Sequence, residues 1–319
     1  MRLKRDNRST FNFNHRIPIK IQRREFLKRS ALGVGGILVG AQLGAAETAA
    51  PQFYDPYALV PLGKTGLKFS RVCIGTGMSG GNRQSNQTRK GRTVFQKLLR
   101  DAYDRGIRTY DLADLYGSHT YLPPALEGIP RDHYNLISKI WWTSGGLPEP
   151  ERPAADIVVA RFLKELKTDY IDLLLLHCVT DADWPRQLRG QMDTLSRLKA
   201  QGKIRALGVS CHSIEALETA AAEPWVESVH ARINPYGMSM DGPPDQVMPV
   251  LKKLHAAGKG VIGMKLIGEG RLRNDDARRD ESVKFVLNLG CVDVLNVGFE
   301  KIEEVDDFAA RVRKVPLPA

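Results

Sequence analysis

The strongest constraint on how this chain folds is an alternation that begins near Arg71 and continues to the end. Short, continuously apolar runs occupy residues 71–75, 108–113, 134–140, 170–178, 204–211, 226–234, 260–268 and 292–299. Between them lie segments with apolar residues at helical spacing. They include Phe95, Leu98, Leu99 and Ala102; Val159, Phe162, Leu163 and Leu166; Leu188, Met192, Leu195 and Leu198; and Val247, Val250, Leu251 and Leu254. Further helices are expected over 213–222, around 282–289 and over 302–312. The segment 118–128 contains Pro123 and Pro124, so its helix must be short or broken. Strands apolar on both faces belong to parallel sheets covered on both sides. Eight strand–helix units in about 250 residues predict an α/β fold: an eight-stranded parallel (β/α)8 TIM barrel. Leu59–Phe69, with Gly-Lys-Thr-Gly between apolar arms, predicts an N-terminal hairpin.

In such a barrel the chemistry sits where the strands end. Three consecutive strands end in Asp111, Lys139 and His177, and Tyr116 follows just beyond the first, in RTYDLADLYG. A carboxylate at the end of a buried strand needs a partner, and Lys139 can supply it. An ammonium beside a phenol favours the phenolate, so convergence predicts a Tyr116 pKa lowered from about 10. Asp111 would keep Lys139 charged, and His177 would reach the oxygen to which Tyr116 donates. This set suits protonation of the oxygen of a carbonyl as hydride reaches its carbon. None of the four supplies a hydride, which implies a nicotinamide cofactor.

The segments LGKTGLKFSRVCIGTG, FLKELKTDYIDLLLLH, GKIRALGVS and VLNVGFEKIEEVDDF, with the Asp111 to Tyr116-Gly117 spacing and Lys139, resemble the aldo-keto reductase family from Leu59 to Val312. The resemblance places that family's Asp, Tyr, Lys and His tetrad on Asp111, Tyr116, Lys139 and His177. It implies reduction of an aldehyde or ketone by NADP(H) or NAD(H), or the reverse oxidation of an alcohol. For the cofactor it implies Ser210 near the nicotinamide carboxamide, with Cys211 where the family has Asn. The expected Gln of the sixth strand is absent, with Arg232 or Asn234 nearby. Met264 stands where an aromatic stacks on the nicotinamide, and Lys265 where a small residue is usual. Gly268-Glu269-Gly270-Arg271 is placed to approach the pyrophosphate. Gly298 and Lys301 fall at the cofactor side of the last unit, with Glu300 between them. Trp141, Trp142, Tyr121, Trp184 and Tyr236 are candidates either for the substrate mouth or for packing.

Net charge adds little about partners. Of the formal +11, residues 1–50 carry +7 and the remainder +4, so no nucleic-acid partner is called for. Those first residues read as a domain of their own, ahead of a barrel spanning 51–319. Gln22-Arg23-Arg24-Glu25-Phe26-Leu27-Lys28 precedes a Gly/Ala-rich apolar run from Ala31 to Ala46. This resembles a twin-arginine signal, with cleavage expected near Ala46. It implies the twin-arginine export machinery as a partner and a periplasmic or extracytoplasmic location; the alternative is an uncleaved membrane-anchored leader. The four cysteines, Cys73, Cys178, Cys211 and Cys291, form no disulfide framework. His177-Cys178 and Cys211-His212 end successive strands, but neighbours on a strand point to opposite faces, so a metal or disulfide there requires a bend; no metal site is assigned. Two other functions fit the same residues. One is a Schiff-base lyase or aldolase using Lys139 or Lys265, the other a dinucleotide-binding regulatory barrel without turnover. Nothing in the sequence sets an oligomeric state.

Overall fold

The structure, a computed structural model, describes residues 52–318. The leader and its twin-arginine pattern lie outside the described residues. Within them, an antiparallel hairpin of β1 (Leu59–Pro61) and β2 (Lys68–Ser70) precedes the barrel. The barrel strands are β3 (Val72–Gly75), β4 (Thr109–Asp111), β5 (Asn135–Ile140), β6 (Ile171–Val179), β7 (Ile204–Cys211), β8 (Ser228–Arg232), β9 (Gly260–Met264) and β10 (Val294–Gly298). Each pairs in parallel with its sequence neighbour, and β10 pairs with β3 to close the ring. Full closure leaves no sheet edge.

The strands are mainly apolar because both of their faces are covered. Outside, one apolar layer joins strands to helices, and helix Arg92–Asp104 buries Phe95, Leu98, Leu99 and Ala102 as their spacing requires. Helices Ala155–Leu166, Arg189–Ala200, Ile214–Ala222, Pro244–Ala256, Asp276–Asn288 and Ile302–Val312 cover the other strands. The unit after β4 has only 3-10 turns and the four-residue helix Leu122–Ala125, as its prolines dictate. Helix Asp276–Asn288 begins six residues before the expected start at 282. Its opening turn is charged, so apolar periodicity misses it, and Asp275 caps it by accepting from the Arg278 amide at 3.0 Å.

Inside the barrel, a second core joins Cys73, Ile137, Leu173, Leu175, Ala206, Ile262 and Val294 to Leu62, Leu67 and Phe69 of the hairpin. The hairpin thus plugs the amino-terminal end of the barrel. Gly260 permits it, since a Cβ there would lie 2.4 Å from Leu62 Cγ. With that end filled, the polar ends of the strands gather at the other. No helix among the described residues is long and apolar enough to cross a membrane.

Candidate active site

The four residues singled out from the sequence meet at the carboxyl-terminal end of the barrel. Lys139 Nζ forms an ion pair with Asp111 Oδ1 and donates to the Leu112 carbonyl at 3.0 Å. Both charged side chains are almost wholly buried, so each depends on the other for its place in the core. Tyr116 Oη lies 3.3 Å from His177 Nε2, and the two rings meet edge to face with centroids 5.5 Å apart.

Tyr116 is held by its own turn and by a glycine-rich loop. It ends the 3-10 turn Asp114–Tyr116, which Gly117 closes at φ 62°. Asp114 anchors the turn by accepting from Arg83 Nε at 2.9 Å and Arg161 Nη2 at 2.6 Å. Across the ring lies the loop 75–81. A Cβ at Gly77 would fall 2.3 Å from Tyr116 Cζ, and one at Gly80 2.6 Å from Cδ1. His177 ends the regular part of β6, where a bulge between Leu176 and Val179 puts Cys178 at φ 58°. Trp142 Nε1 donates to the His177 carbonyl at 2.7 Å, and the Trp141 ring meets the imidazole edge to face at 5.4 Å.

The electrostatics differ from the expectation at Tyr116. Burial, with Asp111 nearby, pushes its phenol well above the ordinary value instead of lowering it. The reason is geometric: Lys139 Nζ is engaged by Asp111 and lies 5.0 Å from the Tyr116 ring centroid, where it faces the ring. Burial likewise holds His177 well below its usual range, with Lys139 adding to the effect. The site therefore presents a protonated phenol against a neutral imidazole.

Four further residues take part, and two of them, Asn296 and His230, carry no sequence signal of their own. Asn296 on β10 donates from Nδ2 to Asp111 Oδ2 at 2.7 Å. His230 on β8 is fully buried with neither ring nitrogen partnered, and its Nδ1 is 4.0 Å from Asp111 Oδ1. The glycines at 77 and 80 read only as a loop until their contact with Tyr116 is seen. The run Gly75-Thr76-Gly77-Met78-Ser79-Gly80-Gly81 after a strand is the sequence signal for them.

The residues assigned to the cofactor fall on the rim formed by β7 to β10, with differing freedom to act. Ser210 Oγ accepts from the Cys178 amide at 2.9 Å, bracing the bulge, and keeps its own proton to donate. Asn234 is spent on its own loop: Nδ2 donates to the Met238 and Lys265 carbonyls, and Oδ1 accepts from the Tyr236 and Met238 amides. It shapes the loop and has no amide group left for a ligand. Met264 ends β9 half-buried, and Lys265 donates to Glu269 Oε1 at 2.7 Å. Gly268 packs against Met238, whereas a Cβ at Gly270 would meet nothing within 4 Å. Gly298 faces inward onto Met78, with Cγ 2.5 Å from where its Cβ would be, so its role is close packing. Lys301 is exposed at the start of helix Ile302–Val312. This set fits a dinucleotide: an apolar face at Met264, a hydroxyl donor at Ser210, and open backbone with a cation at the turn after β9.

The bulge in β6 supplies the bend that Cys178 needs, bringing its Sγ to 3.3 Å from His212 Nε2. All four cysteines are free, and among the described residues no group of three His, Cys, Asp or Glu could hold a metal ion. Trp184 is fully buried and donates to the Ala216 carbonyl, so it belongs to packing and not to a substrate mouth. Tyr121 packs on Phe95. Tyr236 bonds Glu281.

The Aldo/keto reductase family model matches residues 71–317. Aldo-keto reductase YhdN of Bacillus subtilis is 29% identical over 234 residues, covering 68% of this chain and 67% of that protein. The NADH-specific methylglyoxal reductase of Escherichia coli is 28% identical over 171 residues, covering 47% of this chain and 51% of its own length. A crystal structure assigned as an aldo-keto reductase from Pseudomonas aeruginosa superposes with a TM-score of 0.65 at 25% identity, covering 82% of this chain and 98% of that one. The chain belongs to the aldo/keto reductase family. It is an NAD(P)H-dependent oxidoreductase of carbonyl compounds, and neither the Schiff-base nor the non-catalytic reading is favoured.

Proposed function

We propose that Tyr116 is the proton donor of carbonyl reduction, with His177 orienting the substrate oxygen and the Asp111–Lys139 pair fixing the field behind them. The observation that carries this reading is the 3.3 Å approach of Tyr116 Oη to His177 Nε2 beside a buried ion pair. A bound NAD(P)H supplies the hydride. The carbonyl oxygen takes its place against the Tyr116 hydroxyl and an N–H of His177. As negative charge grows on that oxygen, Tyr116 gives up its proton to it. The raised phenol pKa keeps the donor protonated at neutral pH. Lys139 already donates to a carboxylate and a carbonyl, and Lys265 to a carboxylate, so neither is offered as a nucleophilic amine.

Tyr116→Phe tests the assignment, since it removes the proton and keeps the ring under Gly77. The expected result is a fall in kcat of roughly 100-fold or more with cofactor Kd unchanged. Retention of most of the activity would reject Tyr116 as the donor.

We also infer that the protein is exported in folded form by the twin-arginine route, as Arg23-Arg24 followed by Phe26-Leu27-Lys28 and an apolar run supports. The domain division at residues 50–51 follows from the same reading. Changing both arginines to lysine should leave the full-length protein inside the cell. Unchanged export would refute the route.

A further inference from the structure

Phosphate groups in (β/α)8 barrels are commonly received by the loops after the seventh and eighth strands, which here are β9 and β10. The loop after β9 carries a carboxylate at its centre, Glu269, between Gly268 and Gly270. Its Oε1 accepts from Lys265 Nζ at 2.7 Å and its Oε2 from Ser239 Oγ at 2.9 Å, so it ties the β8 and β9 loops together. All three residues have left-handed backbone, with φ 61° at Lys265, 60° at Glu269 and 52° at Ser239. Side chains rarely adopt that conformation without a constraint to hold it. Arg232 is also near. Its Nε is buried without a hydrogen-bond partner, 3.3 Å from Asp241 Oδ1. Lys265 foremost, and Arg232 in part, draw the Glu269 carboxyl below its ordinary pKa.

An ammonium and a hydroxyl converging on two oxygens of one anion, with a guanidinium behind them, form a donor set suited to phosphate. In this structure that set is filled by the chain itself. We propose that Glu269 is an internal stand-in for the cofactor pyrophosphate, holding Lys265 and Ser239 in place and weakening dinucleotide binding because it must be displaced. This rests on the reading that the chain takes NAD(P)H at this rim. The Glu269 side chain is 55% exposed and that of Lys265 30%, and an ion pair so placed contributes little to stability. Displacement is therefore easy, but the displaced carboxylate remains beside the arriving phosphates. One unit charge about 6 Å away in a medium between half as polarisable as water and water itself weakens binding by about three- to tenfold.

The test is direct binding of NADPH and of NADH to the purified protein, followed by quenching of tryptophan fluorescence at low salt, without turnover. Glu269→Gln and Glu269→Ser are each expected to lower Kd by about three- to tenfold for the preferred dinucleotide. Inorganic pyrophosphate should compete more strongly against the dinucleotide in both variants, while unfolding midpoints stay unchanged. Adding Lys265→Met should abolish the gain. A wild type that binds a dinucleotide, with neither variant binding it more tightly, overturns the inference alone. If wild type and variants all bind neither dinucleotide, the cofactor reading beneath it fails instead.

Discussion

Asn296 Nδ2 donates to Asp111 Oδ2 at 2.7 Å, while Lys139 takes Oδ1 of the same carboxylate. The last barrel strand thus completes the coordination of a residue on the second. This contact exists only because β10 pairs with β3 and β3 with β4. Asn296→Leu leaves one buried carboxylate oxygen without a donor, which costs about 1–3 kcal/mol. We expect the urea midpoint to fall accordingly and kcat to fall with it, as Lys139 loses a fixed partner. Cofactor Kd should not change.

Lys139 stands in a different position, because its loss strands a whole charge. Lys139→Met should destabilise the protein by about 3–5 kcal/mol, the usual consequence of breaking a buried pair on one side. Combining it with Asp111→Leu removes the orphaned carboxylate and should restore much of that stability. Activity should remain lost in both. Equilibrium unfolding of the two single variants and the double variant measures the coupling directly.

Gly77 governs Tyr116 through space alone. Its added Cβ would sit 2.3 Å from Tyr116 Cζ, so Gly77→Ala must displace the ring or the loop. A shift of about 1 Å in a reacting group can cost about 100-fold in rate. We expect kcat to fall by about ten- to 100-fold while cofactor binding is kept. Gly81→Ala in the same loop meets nothing within 4 Å and serves as the neutral control.

These residues also mark what the sequence alone conveys. The eight strands and the hairpin were legible, because a strand covered on both faces is mainly apolar and the turn glycines punctuate it. So was the meeting of Asp111, Lys139 and His177, because strand ends in a closed barrel face one another. Asn296 was not, since an Asn within VDVLNVGF carries no sign of which strand it meets across the closure. Asn234 stands near the place of the Gln expected at the cofactor, but its loop folds back and uses every donor and acceptor of its amide. Tyr116 was expected to have a lowered pKa because proximity to Lys139 was assumed to mean proximity to the hydroxyl. The lysine instead faces the ring, 5.0 Å from its centroid. Composition and spacing bring side chains to one place; the direction in which each points depends on packing that the pattern does not encode.

His230 should make the fold acid-sensitive. It is fully buried beneath Asp111, and burial lowers its pKa to about 3, with Lys139 contributing and Asp111 opposing. In the unfolded chain a histidine titrates near 6.5, so below that pH the unfolded state takes up a proton that the folded state refuses. The stability contributed by the neutral ring is present above pH 6.5 and is lost as pH falls toward 3. The limiting slope is about 1.4 kcal/mol per pH unit for one such histidine. His177, also held neutral by burial, adds to the slope in the same direction. His230→Met, similar in bulk and without a titrating group, should flatten the dependence of unfolding free energy on pH between 6 and 4 by about that amount. Urea denaturation at several pH values in this range measures it. An unchanged slope would mean that the imidazole is protonated in the folded state, paired with Asp111 across the 4.0 Å that separates them.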